Sequence, residues 1–364
     1  MNYSGVNKIR LGIIGTGGMA NLHAEKFKEI RGVELTACMD VNKDRAEAYA
    51  DRHGFRKVCP DMSSLLDEID AVSIVTPDPY HVPMAIEALK AGRHVLCEKP
   101  LALSLAEAKK AGRVARQAGR RGIIHMINFS YRNAAAFHYA AKLVADGRLG
   151  EIRHVHSRYL QHWLTSHQWG QWTDETWLWR LQSQSGSKGV LGDLGCHLLD
   201  FTSGIAGDIK ALSCRLHTFP KIDPKTGRRI RRYGGKALDV SDTAMIELKF
   251  ANGAVGQTHT TRWSTGHANS IELEVAGTEG ALAIDLDAGY EQIRLCLGKA
   301  RHKAEWTTRT LKPTPNIYQR FIRSIRTGNN DQPDLLRGVQ VQAYLDACER
   351  SADNDGRMIR IRAY

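Results

Sequence analysis

KIRLGIIGTGGMANLHAEKF, residues 8–27, decides the fold. Ile9 to Ile14 form a mainly apolar run of the kind a buried parallel strand shows. The run passes directly into Gly15-Thr16-Gly17-Gly18-Met19-Ala20 and then into a segment of helical character. This is the pattern GxGxxA: Gly15 permits a tight turn, Gly17 lets a pyrophosphate approach the backbone, and Ala20 lets helix and strand pack closely. The free N–H groups at the start of such a helix, with its positive dipole end, favour phosphates. A glycine-rich turn alone is a weak signal, so its surroundings carry the weight.

Those surroundings agree. VELTACMD, residues 33–40, is a second apolar run, and it ends at Asp40, 25 residues after Gly15. An acidic residue near that distance receives the ribose hydroxyls of NAD. A carboxylate there repels the 2′-phosphate of NADP, and no arginine follows immediately, which favours NAD over NADP. The same side chain is compatible with capping the helix predicted over KDRAEAYADRHG. The alternation continues with AVSIVT (71–76), a helix YHVPMAIEALKAG, HVLCEKP (94–100), a helix LSLAEAKKAGRVARQAG, and GIIHMINF. Strands alternating with helices imply a parallel, doubly wound sheet of the Rossmann kind, with its ligand at the carboxyl ends of the strands. Two such ends carry Thr76, Pro77 and His81, and Glu98 and Lys99. With Gly15, Thr16, Gly17, Gly18, Met19 and Asp40 they are the candidate cofactor contacts. Lys99 leaves an apolar strand, and the following Pro100 restricts its backbone. A lysine so placed can hydrogen-bond a substrate hydroxyl and favour a developing alkoxide; a salt bridge to Glu98 is the plainer reading.

A second motif is VLGDLGCHLLD, residues 190–200. At about 100° per residue, Asp193, His197 and Asp200 fall in a stripe roughly 60° wide on a helix. Leu191, Leu194, Leu198, Phe201 and Ile205 form a separate stripe. The spacing predicts an amphipathic helix whose polar face is carboxylate, imidazole, carboxylate. Taken alone, that face reads as a pair of metal ligands, an acid–base pair, or merely a solvated side. No metal is expected, because Asp193 and His197 supply only two ligands and Cys196 points off the stripe.

The chain of 364 residues suggests two domains, and 42% hydrophobic with 25% charged residues is ordinary for a globular protein. No apolar run is long enough for a membrane span. The polar N-terminus enters the first strand with no secretory signal pattern, which predicts a cytoplasmic protein. Seven scattered cysteines without a CxxC suggest reduced thiols. The net charge of +12 raises nucleic acid as a partner, and KTGRRIRRYGGK (225–236) concentrates five basic residues within eight. The other basic residues are interspersed with acids and no nucleic-acid signature is present, so 217–241 reads as a solvated hairpin or subunit-contact insertion. Neither a nucleic-acid nor a membrane partner is expected.

Four stretches together, GIIGTGGMA, TPDPYH (76–81), CEKP (97–100) and GDLGCHLLD (192–200), resemble the glucose-fructose oxidoreductase / inositol dehydrogenase (Gfo/Idh/MocA) family. NFSYR (128–132) and GRLGEIRHV (147–155) extend the resemblance into the second half, and Asp78 stands where the family often has asparagine. The resemblance implies a Rossmann domain over 1–126 and a C-terminal α+β domain over 127–364. The latter is built on a large, mostly antiparallel open sheet that commonly mediates dimers or tetramers. It also implies metal-free oxidation of a sugar or cyclitol hydroxyl by a nicotinamide cofactor, with Lys99, Asp193 and His197 as the catalytic set. Asp200 becomes a substrate-hydroxyl ligand, and the Lys99–Pro100 bond is expected to be cis. An imidazole near its unperturbed pKa of about 6.5 suits the proton released when a carbinol carbon loses hydride. An NADPH-dependent ketosugar reductase, a lyase or glycosidase with tightly held NAD and no net redox change, and a non-enzymatic NAD-sensing or DNA-binding protein are the alternatives.

Beyond residue 127 the stretches DTAMIELKF, GAVGQTHTTRW and SIELEVAG alternate as antiparallel strands do. Before the second motif, HWLTSHQWGQWTDETWLWRL (162–181) holds tryptophans 163, 169, 172, 177 and 179. They pack a core or wall a sugar site, since aromatic faces meet the C–H faces of sugars. Trp179 and Arg180 are the candidate substrate contacts there, although Arg180 equally suits bracing Asp193. His156, Gln161, His259 and Trp263 are secondary candidates on strands expected to face the cleft. Near the end, TPNIYQRFIRSIRTG and LLRGVQVQAYLDACERSA read as helices and MIRIRAY as a closing strand.

Overall fold

A computed structural model describes residues 8–362. The last two residues of the expected closing strand lie outside the described residues, and its observed strand is Ile359–Arg360. The chain divides into two compact units: residues up to Ser130 with Pro315–Gln342, and Tyr131–Thr314 with Ala343–Tyr364.

In the first unit, β1 (Ile9–Ile14), β2 (Val33–Met39), β3 (Lys57–Val58), β4 (Ala71–Ile74), β5 (His94–Cys97) and β6 (His125–Ile127) form one sheet in the order β3-β2-β1-β4-β5-β6. Every pair in it is parallel. The apolar strands are connected by helices α1 (Gly18–Lys28), α2 (Lys43–His53), α3 (Met62–Glu68), α4 (His81–Lys90) and α5 (Leu105–Arg120), as a doubly wound sheet requires. The strand order reverses between β1 and β4, and this is where such sheets bind ligands. Gly15 sits there at a φ of 85°, and a Cβ on it would lie 2.6 Å from the Val75 carbonyl oxygen. Only glycine combines that backbone with that approach.

The expected boundary near residue 126 differs from the observed one because the chain returns. The helix Ile317–Thr327 carries Ile317, Tyr318, Phe321, Ile322 and Ile325 into the same core as Ile9, Leu11, Ala24 and Phe27. Its capping box, in which Asn316 accepts from Gln319 N–H and the Gln319 side chain answers, fixes where it begins.

The second unit is built on nine strands: β7 (Ile152–Gln161), β8 (Ile209–His217), β9 (Thr243–Phe250), β10 (Val255–Thr261), β11 (Asn269–Gly277), β12 (Gly280–Asp285), β13 (Gln292–Leu297), β14 (Thr307–Thr310) and β15 (Ile359–Arg360). Their order is β14-β13-β12-β11-β7-β10-β9-β8-β15. All neighbours are antiparallel except β7 with β10. Alternation of buried and exposed residues, as along Ala244 to Phe250, gives the sheet one apolar face. Helices α6 (Ala135–Ala145) and α7 (Cys196–Ala206) belong to this unit, and α7 is pinned to the sheet by hydroxyls. Ser157 Oγ on β7 lies 2.7 Å from Thr202 Oγ1 on α7 and 2.7 Å from Thr258 Oγ1 on β10.

The segment 217–241 is largely exposed and hairpin-forming, as expected, but it is anchored by a few buried side chains. It forms two short antiparallel ribbons, Lys221–Ile222 with Arg229–Ile230 and Arg232–Tyr233 with Lys236–Ala237. Leu238, Ile230 and Tyr233 pack with Trp163, Trp172 and Leu181, and Lys221 is buried against Asp242 at 2.6 Å. Among the described residues no helix is long and apolar enough to cross a membrane.

Because Phe321 is fully buried beside Phe27, Phe321→Ala is expected to destabilise the first unit by about 3–5 kcal/mol. Urea unfolding measures this; a loss below about 1 kcal/mol would remove the helix Ile317–Thr327 from that core.

Candidate active site

In the first unit the site is a nucleotide cradle. Helix α1 begins at Gly18 with Gly17 as its cap, and no side chain accepts its first N–H groups. A Cβ at Gly17 or Gly18 would meet nothing within 4 Å, so open space lies over those donors. Thr16 turns inward, donating its N–H (2.8 Å) and hydroxyl (3.0 Å) to Asp40 Oδ2. Asp40 also accepts from Asn42 N–H and receives Arg45 on both oxygens, at 3.2 and 2.6 Å. Burial alone would raise the Asp40 carboxyl, but Arg45 and the N–H groups of Asn42 and Thr16 hold it at about 2. The helix cap of α2 is supplied by Asn42, not by Asp40. An open turn, uncapped N–H groups and an anionic residue at the end of β2 fit a dinucleotide.

The two strand-end loops are tied together from beneath. His81, only 1% exposed, bridges the Pro100 carbonyl through Nδ1 (2.7 Å) and the Thr76 carbonyl through Nε2 (2.8 Å). It therefore braces the cradle, where a direct cofactor contact had been expected. Glu98 is likewise buried: it meets His23 Nε2 at 2.9 Å, accepts from Asn128 at 2.5 Å, and accepts the Lys99 N–H on its other oxygen at 3.1 Å. Its burial opposes ionisation, yet the His23 contact outweighs this and holds the carboxyl well below its usual range. His23 Nδ1 rests on Ser73 Oγ at 2.8 Å, and Asn128 reaches Tyr318 of the returning helix. Lys99 is half-buried, and its bond to Pro100 is cis. Met19 is exposed at the mouth of the turn.

In the second unit, VLGDLGCHLLD departs from a regular α-helix. Leu191–Gly195 is a π turn, closed by the Cys196 N–H on the Leu191 carbonyl, and α7 follows. Such turns recur at functional sites. The expected amphipathic face is absent, because α7 is buried nearly all round, His197 and Asp200 included. The three polar residues are separated by what meets them. Asp200 is 1% exposed and takes a bidentate Arg132 at 2.7 and 2.7 Å, which places it as an interior anchor in place of the expected substrate contact. Gly204 makes room for this pair: a Cβ there would lie 3.0 Å from Arg132 Nη2 and 2.8 Å from Phe137 Cζ.

Asp193 sits between two arginines. Arg180 Nη1 donates to Oδ1 at 2.7 Å and Arg262 Nη2 to Oδ2 at 3.2 Å. The Arg180 guanidinium stands over the rings of Trp179 (4.9 Å) and Trp177 (5.5 Å), and Arg262 stands over Trp163 (5.3 Å). Much of the tryptophan segment is thus core: Trp163 and Trp172 are buried, and Trp169 and Trp177 stack beside them. His197 packs edge-on against Tyr131 at 4.8 Å. The Tyr131 and Tyr159 hydroxyls are 2.6 Å apart, and Gln161 and Asn269 complete the cluster through hydrogen bonds to them. His156 and His259 alternate along their strands with the buried Ser157 and Thr258, which hold α7, and both histidines line a cavity in this unit. Trp263 stands against Phe219 and Lys221.

Sequence reasoning missed Arg262, Arg132, Tyr131, His23 and Asn128. An arginine at the strand end THTTRW, in register with the inward-facing Thr258 and Thr260, is the one local signal that could have raised Arg262. Among the described residues no group of three or more His, Cys, Asp or Glu could hold a metal ion.

Residues 9–126 match the oxidoreductase family with an NAD-binding Rossmann fold, and residues 137–283 match the GFO/IDH/MocA C-terminal domain. An inositol 2-dehydrogenase of Rubrobacter xylanophilus is 36% identical over 94% of this chain and 90% of its own length. A levoglucosan dehydrogenase of Pseudarthrobacter phenanthrenivorans is 28% identical over 95% and 97%. The crystal structure of a levoglucosan dehydrogenase in complex with NADH and levoglucosan superposes with a TM-score of 0.84 at 26% identity, covering 98% of this chain and all of that one. The chain belongs to the Gfo/Idh/MocA oxidoreductase family. It is an oxidoreductase that acts on CH–OH groups with a nicotinamide cofactor.

Removing a hydrogen-bonding partner from a buried carboxylate leaves that group unsatisfied. His23→Leu is therefore expected to cost about 1–3 kcal/mol in denaturant unfolding, with part recovered in His23→Leu/Glu98→Gln. Equal stability of His23→Leu and wild type would show that Glu98 does not depend on His23.

Proposed function

We propose that this protein is an NAD-dependent dehydrogenase that oxidises a secondary hydroxyl of a cyclitol or pyranose sugar to the ketone or lactone. The observation that carries this reading is Asp193, a carboxylate held between two guanidiniums four residues ahead of His197. A carboxylate so flanked is fixed in position, leaving the imidazole to take the proton. The relatives' printed names, inositol 2-dehydrogenase and levoglucosan dehydrogenase, support a ring polyol as substrate.

In this reading the hydroxyl proton passes to His197 as the carbinol C–H bond breaks. Lys99 donates a hydrogen bond to the reacting oxygen and steadies the negative charge that develops on it. The nicotinamide, when bound, supplies the hydride acceptor at its C4. Arg180 and Trp179 contact the sugar ring, and Asp200 acts through Arg132 by holding α7 in place. Gly15, Thr16, Gly17, Gly18 and Met19 form the pyrophosphate turn, and Asp40 faces the adenosine ribose. Asp40 supports NAD over NADP, because its carboxylate repels a 2′-phosphate and holds Arg45, the nearby cation, on both of its oxygens.

The test is NADH formation over a panel of inositols, aldoses and glycosides. Wild type is expected to oxidise a ring polyol and release free NADH, which an internally balanced lyase or glycosidase cycle would not. Lys99→Ala and His197→Ala are each expected to lose about 10²–10⁴ in kcat/KM. Full activity in both variants would sink the assignment. NADH is expected to bind at least about tenfold more tightly than NADPH, with Asp40→Ser narrowing the gap; equal affinities in wild type would remove the NAD preference.

A further inference from the structure

Arg262 is the largest fully buried side chain in the described residues, at 0% exposure, and it lies outside every motif that pointed to the site. Burial disfavours its charge, so a guanidinium there needs compensating partners. It has three. Nη1 donates to the Arg180 carbonyl at 2.9 Å, and Nη2 donates to the Gly189 carbonyl at 2.8 Å and to Asp193 Oδ2 at 3.2 Å.

Each partner belongs to a different part of the site. The Arg180 carbonyl lies in the turn that presents the Trp179–Arg180 pair, and Gly189 stands just before the π turn Leu191–Gly195. Asp193 lies within that turn. The Arg262 backbone N–H donates to the Asp242 carbonyl at 3.0 Å, so the fork projects from a fixed strand end. Asp242 in turn is paired with buried Lys221 of the insertion. One planar guanidinium thus spans two backbone segments and one carboxylate, a geometry that a lysine ammonium cannot reproduce.

The two arginines on Asp193 are unequal. Arg180 is 29% exposed and rests on tryptophan faces, whereas Arg262 is enclosed. When a substrate draws Arg180 toward itself, Arg262 still holds Oδ2. We propose that Arg262 is a positioning residue for hydride transfer, acting through Asp193: it fixes the carboxylate and the π turn so that His197 is presented in its proton-accepting position. Its contribution is made through Asp193 and not through substrate or cofactor. The inference rests on the roles given above to Asp193 and His197.

A double-mutant comparison tests it. Arg262→Lys and Arg262→Gln are prepared in wild type and in Asp193→Asn, with thermal melts establishing that each is folded. In the wild-type background kcat on the preferred ring polyol is expected to fall about ten- to a hundredfold, with Lys milder than Gln. The Kd for NADH, read by fluorescence, is expected to stay within about threefold, and the primary deuterium isotope effect at the carbinol carbon to rise. In Asp193→Asn the same two changes are expected to lower kcat less than about threefold. Equal losses in both backgrounds, or no loss in wild type while His197→Ala is inactive, would overturn the role of Arg262 alone. Undiminished activity of His197→Ala would overturn that role and the catalytic assignment together.

Discussion

A carboxylate removed from water needs a fixed cationic or hydrogen-bonding partner, and the arrangement of both units around their functional residues follows from that requirement. Glu98 is answered by His23, Asp193 by Arg180 and Arg262, Asp200 by Arg132 and Asp242 by Lys221. Each pair joins separate segments of the chain. The Lys99 loop is tied to helix α1, α7 to the start of the second unit, and the insertion to Asp242, which precedes β9 and accepts the Arg262 backbone N–H. Such pairs contribute little net stability over well-packed apolar residues. Their effect is geometric, because a desolvated charge tolerates very few alternative positions.

The sequence made the first unit readable because its signals are local. Apolar runs, a glycine turn and helix-length spacers suffice to define a doubly wound sheet, and Gly15 is required by a single close approach to Val75. The returning helix Ile317–Thr327 was visible as a helix, but nothing in its pattern says which core receives Phe321. In the second unit, alternation predicted antiparallel strands, while the parallel pairing of β7 with β10 depends on contacts about a hundred residues apart in the chain.

The site was legible in residue type and less so in environment. GDLGCHLLD announces a carboxylate and an imidazole, yet Asp200 and His197 are buried together on a helix that has no wet side. A binary pattern cannot separate a polar stripe that meets solvent from one that meets buried arginines. The tryptophans posed a similar ambiguity, and their positions resolve it by depth: Trp163 and Trp172 are core, whereas Trp177 and Trp179 support Arg180. His156 and His259 line a cavity on the sheet face that α7 does not cover, because strand alternation fixes two faces without saying which one a helix covers.

The π turn at Leu191–Gly195 makes direction a matter of counting. In a regular α-helix each residue advances the side-chain direction by about 100°, so absorbing one extra residue in a single widened turn re-aims everything that follows by about that amount. The direction of His197 relative to the arginines before it is therefore encoded in the number of residues between Gly189 and Cys196 as much as in their identity. Chains that share the motif letter for letter but close this turn as a regular helix would carry the same chemical groups on a differently aimed axis.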